Sequence, residues 1–398
     1  MVIAYFLDAP LSSFSGIVQS TLNIAWLLAE NNHKIVIFAP KKNTKGKNII
    51  SHPNISIEYV PSLPSLFNKN LRISSPLPNK LVDSVKKYSP DILHSHHAFL
   101  ISLNSLMIGR LLKIPNVTTF HAFYMDLNHL GTIGITKPKE KISDFLWNYT
   151  RFFYNQFDCI ITPTRTVRED LKANQITKPI YTISNTINEA QANYISKSQL
   201  QTFKKDLRLK VNVILYVGRL SHEKNVELII EAFSYIVKNQ PESTLVIIGD
   251  GPSKKKLKGL AKKLKIEKDI LFTGAISNSD LLQKGYYQLA NVFVMGGASE
   301  TQGISILEAM YFGVPIVGVV GRGSEELIGE VGILVERQNP KDFANAIIML
   351  LKQKSLQKQL GEKSKQILNS KYNQQKIMKE YENLYSNIVS QKKGGEKN

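Results

Sequence analysis

Short runs of β-branched and aliphatic residues alternate along this chain with longer segments whose apolar positions recur every three to four residues, and the alternation starts over near residue 190. Strands buried on both faces read as continuous apolar runs, and the helices that cover them carry one apolar stripe. In the first half the strand-like runs are Val2–Leu7, Lys34–Ala39, Ile55–Tyr59, Ile92–His94, Val117–His121, Cys159–Pro163 and Ile180–Ile183. Amphipathic segments such as Val18–Glu30 and Lys80–Tyr88 lie between them. In the second half the runs are Val213–Val217, Thr244–Ile248, Ile270–Thr273, Val292–Met295, Ile316–Val319 and Gly332–Val335, with helical patterns at Asn225–Lys238, Lys254–Leu264, Gly303–Phe312 and Pro340–Gln353. This βαβ order predicts an α/β chain of two doubly wound parallel-sheet domains. We place them at residues 1–188 and 189–373, with Glu189–Lys205 as a linker leading into an amphipathic stretch. A helix at 374–389 is expected to complete the first domain, ahead of a disordered basic tail at 390–398. Two such domains facing a central cleft would gather both sets of strand C-termini at its mouth, where open α/β sheets bind ligands.

Composition narrows the partners. Lys and Arg number 51 against 32 Asp and Glu, a net of +19. The excess is spread over both halves, with 20 cations against 12 acids before residue 191 and 31 against 20 after it. A global excess favours polyanions, anionic membranes or phosphorylated substrates, although a composition inflated in Lys, Asn and Ile would give the same balance. The single cysteine, Cys159, excludes an intrachain disulfide framework and sits in an apolar run that predicts a buried thiol. The N-terminal run turns polar at Asp8 without a basic leader and reads as a first strand rather than a signal peptide. No run of about 18 apolar residues predicts a spanning helix. The expected location is cytoplasmic, with peripheral attachment to the inner face of the cell membrane open.

The chemistry concentrates in Ser299–Ala309, where Glu300 and Glu308 stand eight positions apart around Gly303. The apolar positions after Gly303 predict a buried helix, with Glu300 in the loop before it and Glu308 one turn inside. A loop ending at a helix N-terminus offers backbone N–H groups and a positive dipole end to a phosphate, and an acid beside it can bind sugar hydroxyls. Upstream, Arg219 and Lys224 follow the Val213–Val217 strand and are spaced to clamp a diphosphate across a strand-to-helix turn. Together these residues describe a pocket for a nucleotide diphosphate sugar. Gly249-Asp250-Gly251-Pro252 allows a tight turn and close backbone approach. The eight lysines from Lys254 to Lys268 read as a solvated face, and without interleaved aromatics they do not suggest nucleic acid.

His121, at the end of its strand, would face the cleft and could act on a substrate hydroxyl or the sugar; a structural histidine is the competing reading. His94, His96 and His97 have the look of a metal cluster, but no further ligands follow at a metal-site spacing, so no metal is expected. Gly16 lies in the loop ahead of the first helix and could offer its N–H to phosphate or acceptor. The run from Lys137 to Phe157 mixes aromatics and cations. It could lie on an anionic bilayer, but packing of Trp147, Phe152 and Phe153 into the first domain is the favoured expectation. The chain contains no Asp-x-Asp pair of the kind that holds a diphosphate through a metal, which agrees with neutralisation by Arg219 and Lys224.

These motifs resemble the retaining glycosyltransferases of family 4, over nearly the whole chain. The resemblance implies the GT-B fold of two Rossmann-like domains. It implies that Arg219 and Lys224 bind the diphosphate, Glu308 the ribose, and Glu300 the donor sugar. It also implies that Gly303 and Ile304 offer N–H groups, that His121 contacts the sugar near its anomeric centre, and that Gly16 and Gly249 line the donor site. The base should pack near Gly274, Ala275 and Ile276. Many family members have Phe where this chain has Gln302, and the Glu-Thr-Gln-Gly form is similar to bacterial diacylglycerol glucosyltransferases. Asn185-Thr186-Ile187-Asn188 departs from the family's Asn-Gly-x-Asp, and Ser15-Gly16 from its glycine pair.

The expectation is a retaining, metal-independent hexosyltransferase using a UDP-sugar such as UDP-glucose, with no cofactor beyond that donor. Its acceptor would be a membrane lipid such as diacylglycerol, with a polysaccharide or soluble small molecule as the alternative. A nucleotide-sugar epimerase and a non-enzymatic binding protein are rivals of other classes. Nucleic acid is not an expected partner.

Overall fold

The computed structural model describes residues 1–13, 15–41, 50–64, 72–74, 79–96, 98–125, 139–336 and 338–394. The chain divides into two compact units.

The first unit takes in the described residues up to Thr186 together with the helix that begins at Gln374. Its strands are β1 (Val2–Phe6), β2 (Lys34–Pro40), β3 (Ile55–Val60), a short antiparallel ribbon of β4 (Ser62–Pro64) and β5 (Arg72–Ser74), then β6 (Ile92–Ser95), β7 (Asn116–Thr119), β8 (Cys159–Thr162) and β9 (Ile180–Thr182). All but the ribbon form one seven-stranded sheet in the order β3-β2-β1-β6-β7-β8-β9, with every pairing parallel. Side chains alternate across the sheet. Ile3 and Tyr5 enter one core with the Gly16–Glu30 helix, while Ala4 and Phe6 enter another with the Asn79–Tyr88 and Leu100–Leu112 helices. The Gln374–Gly394 helix adds Ile377, Tyr381, Leu384, Tyr385 and Ile388 to the Tyr5 core. These residues recur every three to four positions and form one stripe. Cys159 is fully buried there, and burial pushes its thiol up to about 12.

The second unit holds β10 (Asn212–Val217), β11 (Ser243–Ile248), β12 (Ile270–Gly274), β13 (Val292–Met295), β14 (Ile316–Val319) and β15 (Gly332–Val335). They form one parallel sheet in the order β12-β11-β10-β13-β14-β15. Every residue of β10 and β11 is buried, which is why Val213–Val217 and Leu245–Ile248 within them read as unbroken apolar runs. One continuous core joins the sheet to the Val226–Asn239, Ile304–Tyr311 and Pro340–Lys352 helices.

The structure departs from the sequence expectations at several places. The strand expected to end at His121 ends at Thr119. The Phe120 amide still bonds Ile161 O at 2.9 Å, after which the chain leaves the sheet, so His121 stands two residues beyond it. The Glu189–Lys205 stretch contains a 3-10 turn at Glu189–Gln191 and a helix at Lys197–Asp206 started by a Ser196–Gln199 capping box. The segment 390–394 is helical, continuing Gln374–Gly394, rather than a disordered tail; the last four residues lie outside the described ones. Helices at Leu100–Leu112 and Lys354–Lys371 carried no clean stripe. The first buries polar Ser102, Asn104 and Ser105 beside its apolar residues, and the second buries only Gly361, Ser364, Ile367 and Leu368. In the Lys139–Tyr154 helix, Phe153 is buried and Trp147 half-buried, but Phe152 is 62% exposed, against the expectation that it packs inward.

Candidate active site

In the second unit β10 lies between β11 and β13, so the loops leaving their C-terminal ends are neighbours. The loop after β10 carries Arg219, then a 3-10 turn at His222–Lys224. Gly249-Asp250-Gly251, after β11, forms its floor. Leu220 N bonds Asp250 O at 3.0 Å, and Ser253 N bonds Leu220 O at 2.9 Å. A Cβ on Gly249 would stand 1.9 Å from Gly218 O, and one on Gly251 2.3 Å from Leu220 O. Gly249 also has φ +145°, so glycine is required there twice over. Its N–H bonds the carbonyl of Gly274, the last residue of β12. Ala275 beyond it is exposed, and Ile276 packs half-buried on the core. Tyr216, fully buried, donates its hydroxyl to Arg219 O at 3.0 Å. Burial, with Glu300, Glu223 and Glu227 nearby, holds that hydroxyl protonated well above the usual tyrosine range.

The loop after β13 reaches the same place. A Cβ on Gly296 would lie 2.5 Å from Asn225 O, and one on Gly297 2.7 Å from Glu223 O. From the other side, Arg322 N bonds Ala298 O and Gly323 N bonds Glu300 O at 2.9 Å. Held on both sides, Glu300 meets Lys224, with Nζ 2.5 Å from Oε1 and side chains 26% and 12% exposed for Lys224 and Glu300. Gly303 follows with φ +82° and caps the Ile304–Tyr311 helix. Gly303 and Ile304 thus stand where backbone N–H groups lack intrahelical acceptors. Gln302 is fully buried and Thr301 nearly so.

Glu308 sits on the fifth residue of that helix, 3% exposed. Asn278 Nδ2 donates to its Oε1 at 2.6 Å, and the Tyr287 hydroxyl donates to its Oε2. Burial raises its pKa, while these two donors pull it back down. Its carboxylate is thus engaged by protein groups 21 and 30 residues away in sequence. Neither Asn278 nor Tyr287 had a local sequence signal. Gly296-Gly297 and Gly321 did, since each follows a strand closely.

His121 and Gly16 belong to the first unit. His121 Nε2 lies 3.1 Å from His96 Nδ1, and His96 stacks on His94 with centroids 4.1 Å apart. His94 is buried between the hydroxyls of Tyr385 and Thr119, each 2.7 Å away, and burial pushes its pKa down to about 3. Tyr385 comes from the C-terminal helix. Gly16 is the first residue of the Gly16–Glu30 helix, and a Cβ there would meet nothing within 4 Å, so packing does not dictate glycine. Ser20 and Asn23 of that helix bond Asn185 Oδ1 at 2.5 Å and Thr186 O at 2.6 Å, anchoring the segment where the family's Asn-Gly-x-Asp would stand. Among the described residues no group of three His, Cys, Asp or Glu could hold a metal; His97 lies outside them. In the lysine-rich helix, Lys254 pairs with Asp250 at 2.7 Å and Lys256 with Glu227 at 3.2 Å.

Residues 14–191 match the family model for Glycosyltransferase Family 4, and residues 197–367 that for Glycosyl transferases group 1. An alpha-monoglucosyldiacylglycerol synthase of Streptococcus pneumoniae is 28% identical over 88% of this chain and 78% of its own length. An N-acetyl-alpha-D-glucosaminyl L-malate synthase of Bacillus anthracis is 27% identical over 80% of each chain. Anabaena HepE, solved with UDP and glucose, superposes with a TM-score of 0.76 over 97% of this chain and 99% of its own, at 15% identity. Two parallel-sheet units of this topology are the GT-B fold, and with both family domains matched in order the chain belongs to the family 4, group 1 glycosyltransferases.

Proposed function

We propose that this glycosyltransferase moves a hexosyl unit, glucose in the leading reading, from a UDP-sugar to a hydroxyl of a membrane lipid such as diacylglycerol, with retention at the anomeric carbon and without a metal. The observation that carries the donor half is the Lys224–Glu300 contact beside the Gly303 helix start. It joins a cation for the diphosphate to an acid for sugar hydroxyls within one hydrogen bond. Arg219, on the same loop, would take the leaving diphosphate with Lys224 as its negative charge grows, a form of stabilisation often worth several kcal/mol. Glu300 would bind donor-sugar hydroxyls. Gly303 and Ile304 would offer N–H groups, and Gly274, Ala275 and Ile276 would line the base. Gly249 would act by shaping the Arg219 loop. Glu308, buried as it is, would reach a ribose only through the edge of its carboxylate. His121, held by His96, is assigned the sugar near its reacting carbon, and Gly16 the phosphates. The acceptor proton would pass to the β-phosphate oxygen in a front-face route, since no carboxylate here is assigned as a covalent nucleophile.

The lipid half is supported by the diacylglycerol synthase relative. Gln302 supports it less directly than its sequence suggests, because a fully buried side chain shapes the loop and does not meet an acceptor. A soluble hydroxy acid is the second reading, favoured by the malate synthase relative. Incubation with radiolabelled UDP-glucose and anionic vesicles containing diacylglycerol, followed by solvent extraction, separates them. Label in the lipid phase that disappears in Glu300→Ala supports the lipid reading. UDP release with no lipid label moves the acceptor to a soluble compound, and Arg219→Ala turning over like wild type removes the diphosphate assignment.

A further inference from the structure

The Leu100–Leu112 helix leaves Met107 and Leu111, one turn apart, 56% and 67% exposed. The Lys139–Tyr154 helix leaves Phe145 and Phe152, seven positions apart on one face, 68% and 62% exposed. The two helices run beside each other. Tyr149, between the two phenylalanines, donates its hydroxyl to Ala98 O at 2.7 Å just ahead of the first helix, and Arg110 bonds Gln156 just beyond the second. Leu103 packs in the same cluster as Trp147 and Tyr149. The opposite faces of both helices bury Ile101, Ile108, Phe153 and Tyr154, so the outward residues are not left over from a missing core. One exposed apolar side chain is ordinary, but four large ones on adjoining helices mark a contact surface.

We propose that this face docks the first unit onto an anionic bilayer. Phe145, Phe152, Met107 and Leu111 enter the boundary between head groups and acyl chains, while Arg110 and Lys113 meet lipid phosphates. Both cations are exposed and residues 100–113 contain no acid, while on the second helix Glu140 and Asp144 are offset by Lys141 and Arg151. A second copy fits less well. An isologous contact would set this face against itself, cations included, on a chain of net charge +19. The inference rests on the lipid-acceptor reading for its purpose, and vesicle binding tests it without turnover.

The test is sedimentation with phosphatidylcholine vesicles, with and without phosphatidylglycerol, at low and physiological salt. Wild type is expected in the pellet with the anionic vesicles. Phe145→Ser with Phe152→Ser is expected to lower the partition coefficient roughly tenfold or more. Arg110→Glu with Lys113→Glu should abolish the preference for phosphatidylglycerol. Far-UV circular dichroism and melting temperature should match wild type in both, showing that the variants fold. Lys255→Glu with Lys262→Glu tests the other basic helix and should leave pelleting intact. Wild type that stays in solution, a Phe pair that pellets like wild type, or a wild-type dimer that the Phe pair dissociates each overturns the proposal. Lipid labelling at the wild-type level in the Phe pair also overturns this face and leaves the acceptor reading standing. Vesicle binding through this face with no lipid label from wild type overturns the acceptor reading instead.

Discussion

Lys224 Nζ lies 2.5 Å from Glu300 Oε1, joining the loop after β10 to the loop after β13 across 76 residues of sequence. The pair is largely but not fully shielded. Breaking it with Glu300→Gln should destabilise the fold by about 1–2 kcal/mol, between the limits for exposed and buried pairs. Turnover should fall far more, on the order of a hundredfold or beyond. Denaturant midpoints and kcat measured on the same variant check both halves. A kcat within twofold of wild type would show that Glu300 serves only structure.

Gly249→Ala should displace the Arg219 loop, because the new Cβ meets Gly218 O at 1.9 Å on a backbone with φ +145°. We expect about 2–3 kcal/mol of lost stability and a weakened grip on UDP, read by calorimetry. Gly16→Ala, where a Cβ meets nothing within 4 Å, should fold like wild type, so any lost activity there reports a ligand contact.

Tyr287→Phe removes a hydroxyl that donates to the buried Glu308 carboxylate. Leaving that acceptor short of a partner should cost about 1–3 kcal/mol and raise the Glu308 pKa further. An acid whose folded pKa lies above its unfolded value stabilises the fold when protonated and loses that contribution as pH rises through the folded pKa. The Tyr287→Phe deficit should therefore grow with rising pH and shrink in acid. Thermal melts across pH test the sign.

Asp8 is fully buried by its surroundings, which raises its pKa from 3.8 to about 6, while bonds from Ile101 N and the Ser102 hydroxyl hold it down. Its folded pKa lies above the unfolded one. Its protonation therefore stabilises the fold fully below 3.8, and the contribution is lost as pH rises through about 6. Relative to Asp8→Asn, wild type should gain stability as pH falls from about 6 towards 4. Parallel melting curves over that range would rule out the assignment.

His96→Phe keeps a ring to stack on His94 but removes the partner 3.1 Å from His121 Nε2. With that contact to His121 lost, kcat should fall about tenfold while KM for the nucleotide sugar changes less. His96→Gln, which restores a hydrogen-bonding group, should recover part of it. Equal loss in both variants with lowered melting temperature would mean that His96 serves only the core.

The sequence by itself determined the two parallel sheets and singled out the residues of the candidate donor site. Buried parallel strands are continuous apolar runs, so Val292–Met295, Ile316–Val319 and Gly332–Val335 were legible to the residue. Gly303 and the acids around it announced a loop entering a helix, because one element supplies that information locally. Helices with buried polar residues or few apolar ones, such as Leu100–Leu112 and Lys354–Lys371, escaped because they lack the periodic signal. Only the tertiary structure decided that Lys224 is paired with Glu300, that Tyr287 and Asn278 hold Glu308, and that His96 holds His121. It alone also turned Phe152 outward and buried Gln302. The partners of a polar group, and the face a helix buries, are set by strand order and by close backbone approach between distant loops. A periodic pattern specifies that an element has a buried side, but neighbours folded from elsewhere in the chain determine what that side meets.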